Sequence, residues 1–368
     1  MKKGKRIGLV TWYLGANYGS TLQAYALTHE LERHGNKVTL LRYFKYPLSL
    51  KFIKVNTFTK FGIKRPRALA DCPFPVKRKR FLDFFRKEFR TYLPNDPIRY
   101  ALFLKRTDVF MSGSDQLWNC YDHFRGFEFL EFAKNNKKVS YATSIGTSDI
   151  PSEFHEKVRS YLSKYESISV REKTGAQALE RITGRKDIRV VLDPTFLLDR
   201  KDWEIFAEGA GKDFNLPDKY IFCYLLRKGT DFSGIIERIK KQTGIGEVML
   251  FPSNENPLLD VAGTTRIENA GPREFIKALL NADYVVTDSF HGSALSINLG
   301  KQFLNLKRFD DADPASQNSR LYDLPALFGV SSRFYEGSLP ETIDYSVVGN
   351  RLGELRKDSR DYLKSILA

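Results

Sequence analysis

Two stretches of the chain repeat one grammar: an apolar β-rich run, a turn, an amphipathic helical pattern and another apolar run. That alternation limits the fold more than any other feature. Lys5–Tyr13 is apolar and rich in β-formers, the loop Leu14-Gly-Ala-Asn-Tyr-Gly follows, and Ser20–His34 has a helical pattern closed by Gly35 before a strand pattern at Val38–Phe44. A β-loop-α-β unit of this kind opens a doubly wound sheet. Strands are expected next at Val109–Met111, Lys138–Ala142, Ser167–Val170 and Arg189–Leu192, with helices near Ser152–Ser163 and Thr174–Thr183. The pattern restarts at Tyr220–Leu226. It continues through helix Phe232–Thr243, strand Glu247–Phe251, helix Pro272–Asn281, strand Tyr284–Thr287, helix Ser289–Leu299 and strand Gln302–Leu306. The expected fold is α/β, with two Rossmann-like domains facing a cleft. The first spans 1–198 and contains a basic insertion at about 45–106; the second spans 199–349; a C-terminal helix over 350–368 packs back on the N-terminal domain.

A chain of 368 residues is long enough for two such cores. Three scattered cysteines, Cys72, Cys120 and Cys223, form no CxxC pair and do not read as a disulfide framework, which fits a reducing cytoplasm. No apolar run reaches the length of a membrane-spanning helix, and the basic start MKKGKRIGLVTWY reads as a first strand rather than a signal peptide. The net charge of +15 is concentrated. Between Arg42 and Arg106 there are 18 Lys and Arg against four acids, a local +14. Nucleic acid would suit such a segment. So would anionic lipid headgroups, because the basic residues alternate with Phe52, Ile53, Phe58, Phe61, Phe81, Phe84 and Phe85. A solvated insertion, marked by Pro66, Pro73 and Pro75, is the plain alternative. The membrane reading puts Lys77–Arg80 against the bilayer beside the cleft, at the inner face of the cell membrane.

In paired α/β domains ligands bind beyond the carboxyl ends of the strands. The loops Leu14–Ser20, Ser112–Trp118, Arg171, Asp193, Arg227 and Ser289–His291 all follow expected strands. Gly15–Gly19 is no dinucleotide fingerprint, since two glycines stand where three are needed. No Cys/His cluster has zinc spacing, and neither a GxSxG elbow nor a phosphate P-loop occurs. No metal and no organic cofactor is therefore expected. What remains is anion handling. His291 stands in the first turn of a helix, where free N–H groups and the helix dipole attract an anion and a titratable ring can move a proton; a capping Ser289 with a histidine that merely packs is the competing reading. Arg171 follows a strand and opens a helix, against the dipole, and so asks for an anionic partner. Ser114-Asp115-Gln116 with Trp118 offers polar groups and an aromatic face to a sugar, or else a capped turn with a buried tryptophan.

The stretches TWYLGANYGSTLQAYAL (11–27), SGSDQLWN (112–119), ISVREKTGAQAL (168–179), VVLDPTFLL (190–198), VVTDSFHGSALSINLG (285–300) and NSRLYDL (318–324) occur in the order seen in polysaccharide pyruvyl transferases. The chain resembles that family over roughly residues 5 to 325. The resemblance implies a glycosyltransferase-B-like two-domain fold and transfer of pyruvate from phosphoenolpyruvate to saccharide hydroxyls as a ketal, in cell-surface polysaccharide biosynthesis. It implies His291 as acid–base group and Arg171 as donor ligand, helped by Ser289 and Gly292. Many members carry an arginine two residues before that histidine. Here Ser289 stands there, and Arg227 or Lys228 is expected to supply the cation. Asn17, Tyr18, Gly19, Ser20, Ser114, Asp115, Gln116 and Trp118 are expected to face the acceptor, which is carried on a membrane lipid in assemblies of this kind. A nucleotide-sugar glycosyltransferase of the same fold is the runner-up, but its usual glutamate pair is poorly matched by Glu247 and Glu255. Nucleic acid is not expected as a partner, because the cleft residues lie outside the basic segment.

Overall fold

The computed structural model describes residues 4–43, 69, 71–94, 96–122, 124–228, 231–313 and 315–368. The first domain is a parallel sheet of β1 (Arg6–Val10), β2 (Lys37–Leu41), β3 (Thr91–Tyr92), β4 (Val109–Ser112) and β5 (Lys137–Ser140), in the order β3-β2-β1-β4-β5. The parallel pair β6 (Ser169–Val170) and β7 (Arg189–Val190) extends its far edge through bridges from Val139 to Ser167 and from Thr143 to Val170. The second domain repeats the winding. Strands β8 (Ile221–Tyr224), β9 (Val248–Leu250), β10 (Thr265–Arg266), β11 (Tyr284–Thr287) and β12 (Phe303–Asn305) lie in the order β10-β9-β8-β11-β12, all parallel. Strands such as IFCY and YVVT are buried along their whole length, as strands covered on both faces must be. In each sheet the order reverses between two strands, β1 and β4 in one, β8 and β11 in the other. Those are the crevices where a doubly wound sheet binds ligands.

Helix α1 (Tyr18–Arg33) starts in the first crevice, where the Asn17 side chain accepts from Ser20 N and caps the first turn. The basic segment supplies α2 (Pro75–Glu88) and α3 (Pro97–Arg106). Helix α2 is a wedge between the domains. Phe81, Phe84 and Phe85 are buried in the core that also holds Tyr18 and Phe275, so none of the three meets lipid. Arg80 contacts Glu274, Asp213 and the Asn269 carbonyl, and Glu88 pairs with Arg273. Lys77 is fully buried, with Nζ donating to the Pro252 carbonyl at 2.6 Å and lying 4.4 Å from the Tyr18 ring centroid. The expectation that Lys77–Arg80 face a bilayer together is thus corrected. Two of the four are turned inward to tie the domains, because a lysine stem is as apolar as a leucine and its head found a carbonyl and a ring. Phe52, Ile53, Phe58, Phe61 and Pro66 lie outside the described residues. Among the described residues no helix is long and apolar enough to cross a membrane.

Burial pushes the Lys77 pKa down to about 8. An unfolded lysine titrates near 10.5, so between those values the native chain binds fewer protons than the unfolded one. Stability from this group rises with pH across that window and is lost as pH falls through about 8. Relative to Lys77→Met, the parent protein should gain up to about 3 kcal/mol between the two pH values. Urea unfolding of both proteins across the window checks this; parallel pH slopes would show a solvated lysine.

The remaining helices needed below are α4 (His155–Leu162), α5 (Lys173–Thr183), α6 (Arg200–Glu208), α7 (Ser233–Thr243), α8 (Pro272–Asn281), α9 (Phe290–Asn298), α10 (Ser319–Leu327) and α11 (Tyr345–Leu367). Helix α11 begins on the second domain, where Tyr345 donates to the Lys301 carbonyl. It ends on the first, where Ser359 Oγ accepts from Leu192 N and Lys5 Nζ reaches the Ala368 carbonyl.

Candidate active site

The carboxyl ends of both sheets meet at His291. Ser289 takes the N-cap of α9, its hydroxyl accepting from Gly292 N at 3.4 Å, which leaves the Phe290 and His291 N–H groups at the start of the helix dipole. Gly292 has no room for a side chain: a Cβ would strike Thr287 of β11. The first turn of α1 comes from the other domain to the same place. A Cβ on Gly19 would overlap the imidazole edge of His291 at Nδ1, so only glycine lets the two helix starts approach this closely.

The other edge of the ring faces a buried carboxylate. His291 Nε2 lies 3.5 Å from Asp193 Oδ2. The same oxygen accepts from Arg171 Nη1 and from Ser114 Oγ, each at 2.9 Å, while Oδ1 accepts from Thr195 N and Oγ1. Burial alone would raise the Asp193 carboxyl; His291, Arg171 and the hydrogen bonds outweigh it and hold the group well below the ordinary carboxylate range. Asp193 Oδ2 and Arg171 Nη1, the latter at 3.4 Å, together face Nε2 and fix the imidazole, leaving Nδ1 toward the two helix starts.

Arg171 precedes α5 and its side chain is completely buried. The anion its position asked for is inside the chain: Asp193. Its remaining nitrogens, Nε and Nη2, lie 3.6 Å from Glu172 and 3.9 Å from Asp115 without a hydrogen bond. Glu172 binds the neighbouring loop through Ser144 Oγ and Ile145 N, and burial raises its pKa. Asp115 has φ +74, a left-handed conformation that aspartate tolerates better than most residues, and accepts from Ser20 Oγ at 2.6 Å.

Other expected residues are placed differently. Trp118 is stacked on Phe129 and donates to the Glu128 carbonyl, and it is fully buried. Tyr18 is stacked on Phe275 with its hydroxyl on the Ala270 carbonyl. Ser114 is buried under Asp193. None of these three faces an acceptor; they hold the walls, because each polar atom already has an internal partner. Asn17, Gly19, Ser20 and Gln116 line the N-domain side beside His291 and Asp115. Arg227 donates to the Lys307 carbonyl and its backbone N–H to Asp288, while Lys228 is exposed in the loop beyond.

The cation set against Arg171 is Arg320, which sequence reasoning missed. It is buried on α10, its guanidinium 5.6 Å from the Phe290 ring that Arg171 covers from 4.2 Å. Burial and the like charge of Arg171 push its pKa down to about 9, so it stays charged at neutral pH. Gln317 accepts from it at 2.7 Å. The signal was an arginine directly before Leu321 and Leu324 on an apolar helix face. Asp193 was also unassigned, although Asp-Pro after an apolar strand marked it.

The sequence profile of polysaccharide pyruvyl transferase matches residues 17–308, most of the chain. The chain belongs to the polysaccharide pyruvyl transferase family. This family member is accordingly a transferase. Comparison with curated protein sequences gives no match. Among solved structures, a UDP-N-acetylglucosamine 2-epimerase described as putative, from Listeria monocytogenes, is 13% identical over 97% of this chain and 90% of its own, with a TM-score of 0.50. The UDP-GlcNAc 2-epimerase of Methanocaldococcus jannaschii is 13% identical over 95% and 91%, with a TM-score of 0.49. The Arabidopsis thaliana UGT89C1 complexed with UDP-L-rhamnose is 11% identical over 98% and 95%, with a TM-score of 0.46. At such identities the likeness concerns the fold alone, and that fold is the glycosyltransferase-B-like pair of Rossmann-like domains. In this pyruvyl transferase family member Glu247 lies at the amino end of its strand and Glu255 beyond the carboxyl end, paired with Arg308, so the two form no joint site.

Proposed function

We propose that the protein transfers pyruvate from phosphoenolpyruvate to hydroxyls of a saccharide, forming a ketal and releasing phosphate. One observation carries the reading: a histidine facing Asp193 and Arg171 stands between two helix N-termini, with a second buried arginine, Arg320, over the neighbouring Phe290 ring. The helix starts and the arginines supply positive potential for a donor bearing phosphate and carboxylate. The reaction needs a proton delivered to the methylene carbon and a saccharide hydroxyl attacking the central carbon. The carbon–oxygen bond to phosphate then breaks, and a second hydroxyl closes the ketal. His291 is the group placed to move these protons. Arg171 holds Asp193 in register, with its Nε and Nη2 facing the carboxylates of Glu172 and Asp115. The scheme calls on no metal or organic cofactor. A lipid-linked acceptor at the inner face of the cell membrane, for cell-surface polysaccharide, fits the family.

Incubating the protein with phosphoenolpyruvate and a panel of saccharides should release phosphate only when the right acceptor is present, with one pyruvate incorporated per phosphate. Acceptor-dependent consumption of a UDP-sugar, with phosphoenolpyruvate untouched, would establish the glycosyltransferase reading instead.

A further inference from the structure

Tyr18 and Trp118 were the aromatic residues expected to meet a sugar, and both are internal. A different aromatic surface lies on the same side of the cleft. At the carboxyl ends of β1 and β2 a pocket of about 130 Å³ is lined by Trp12, Tyr13, Tyr43, Arg125, Phe127 and Glu128, among others. Tyr43 is 49% exposed, its ring edge-on to Phe127 and 4.8 Å from the Arg125 guanidinium. Arg125 in turn lies 3.7 Å from Glu128. Among the described residues the buried Tyr13 hydroxyl has no hydrogen-bond partner. Such a pocket combines an aromatic face, a guanidinium and a carboxyl over a space for one ring.

The walls of this pocket adjoin the site already described, Leu117 following Asp115-Gln116 in the chain. Thr11, which also lines it, donates to the Ser114 carbonyl at 3.0 Å, and Ser114 holds Asp193. The Trp12 carbonyl accepts from Gln23 of α1, one turn beyond Gly19 and Ser20. The Glu128 backbone is fixed by Ser112 Oγ and the Trp118 indole, which accounts for the internal position of that tryptophan. The pocket is thus lined by the loops after β1 and β4, on the first domain.

We infer that this pocket is an acceptor subsite that takes one sugar ring of the saccharide, its C–H face against Tyr43 and its hydroxyls on Glu128 and Arg125. A pyranose has an apolar face and an equatorial rim of hydroxyls, and the pocket offers both kinds of surface. Burial raises the Glu128 pKa to about 7, so near neutrality its carboxyl both accepts and donates. The inference rests on the proposed saccharide acceptor but not on the donor.

The test separates the two. Saturation-transfer NMR is run with a panel of methyl hexosides and N-acetylhexosaminides, without phosphoenolpyruvate, on the wild type, Tyr43→Ala, Glu128→Gln and His291→Gln. Binding of at least one glycoside to the wild type and to His291→Gln is expected, with affinity lowered about tenfold in Tyr43→Ala and in Glu128→Gln, the loss of one stacking or hydrogen-bonding contact. In turnover assays the same two variants should raise KM for the saccharide about tenfold while KM for phosphoenolpyruvate stays put. Glycoside binding that depends on Tyr43 in a protein that never consumes phosphoenolpyruvate keeps the pocket and removes the donor. Saccharide KM values unchanged in folded Tyr43→Ala and Glu128→Gln remove the pocket and keep the donor. No glycoside bound by the wild type also overturns the pocket.

Discussion

His291→Gln should lower turnover by about 10²–10⁴-fold, the range a positioned acid–base group contributes, with the melting temperature nearly unchanged. Glutamine fills the same space and its amide reaches the region of Nε2, so Asp193 keeps its bonds from Arg171, Ser114 and Thr195. What is lost is a group able to give up and regain a proton beside Gly19. The close fit at Gly19 supplies a second route to the same result. Gly19→Ala puts a methyl where the imidazole edge lies, displacing His291 while leaving every proton-carrying group in the chain. Its turnover should fall similarly, and its circular dichroism should match the parent. A folded His291→Gln with full activity would leave this histidine as packing between two helices.

The alternation of strands and helices was legible because both sheets are parallel and covered on both faces, so their strands are continuous apolar runs. Tyr284–Thr287 and Pro272–Asn281 coincide with the expected bounds. The two-residue edge strands Thr91–Tyr92 and Thr265–Arg266 were not legible, since pairs so short carry no periodicity. The basic segment misled for a different reason. Composition reports that Lys77 and Arg80 are charged, not which way they point, and a long apolar stem lets either be buried once its head has a partner. The loops at the strand ends were legible as the site, and His291, Arg171 and Asp193 do converge there. The division of labour within them was not. Whether Arg171 serves a substrate or a neighbouring carboxylate depends on a contact across 22 residues, and whether Trp118 faces a sugar depends on the far wall of its own domain.

That contact carries the second large effect. Arg171 and Asp193 are both completely shielded from solvent, so removing either leaves an uncompensated charge inside the protein. Arg171→Ala should destabilise the chain by about 3–5 kcal/mol, and Asp193→Leu comparably, measured by urea unfolding at neutral pH. Replacing both, as Arg171→Met with Asp193→Leu, should recover part of that loss, because two well-packed apolar side chains need no partner, while Glu172 and Asp115 still lose the cation beside them. Activity should not recover, since nothing then orients His291; a double-mutant cycle thus separates the structural share of the pair from the chemical one. The acid limb of stability gives the same answer by another route. Asp193 titrates well below its ordinary value in the folded chain, so it contributes stability that is present above the unfolded value near 3.8 and is lost as pH falls through the depressed one. The double variant should lack that acid loss. Additive destabilisation by the two single changes would mean that Arg171 and Asp193 do not act as a pair. Arg171 would then serve the donor anion directly, and its loss would raise KM for phosphoenolpyruvate far more than for the saccharide.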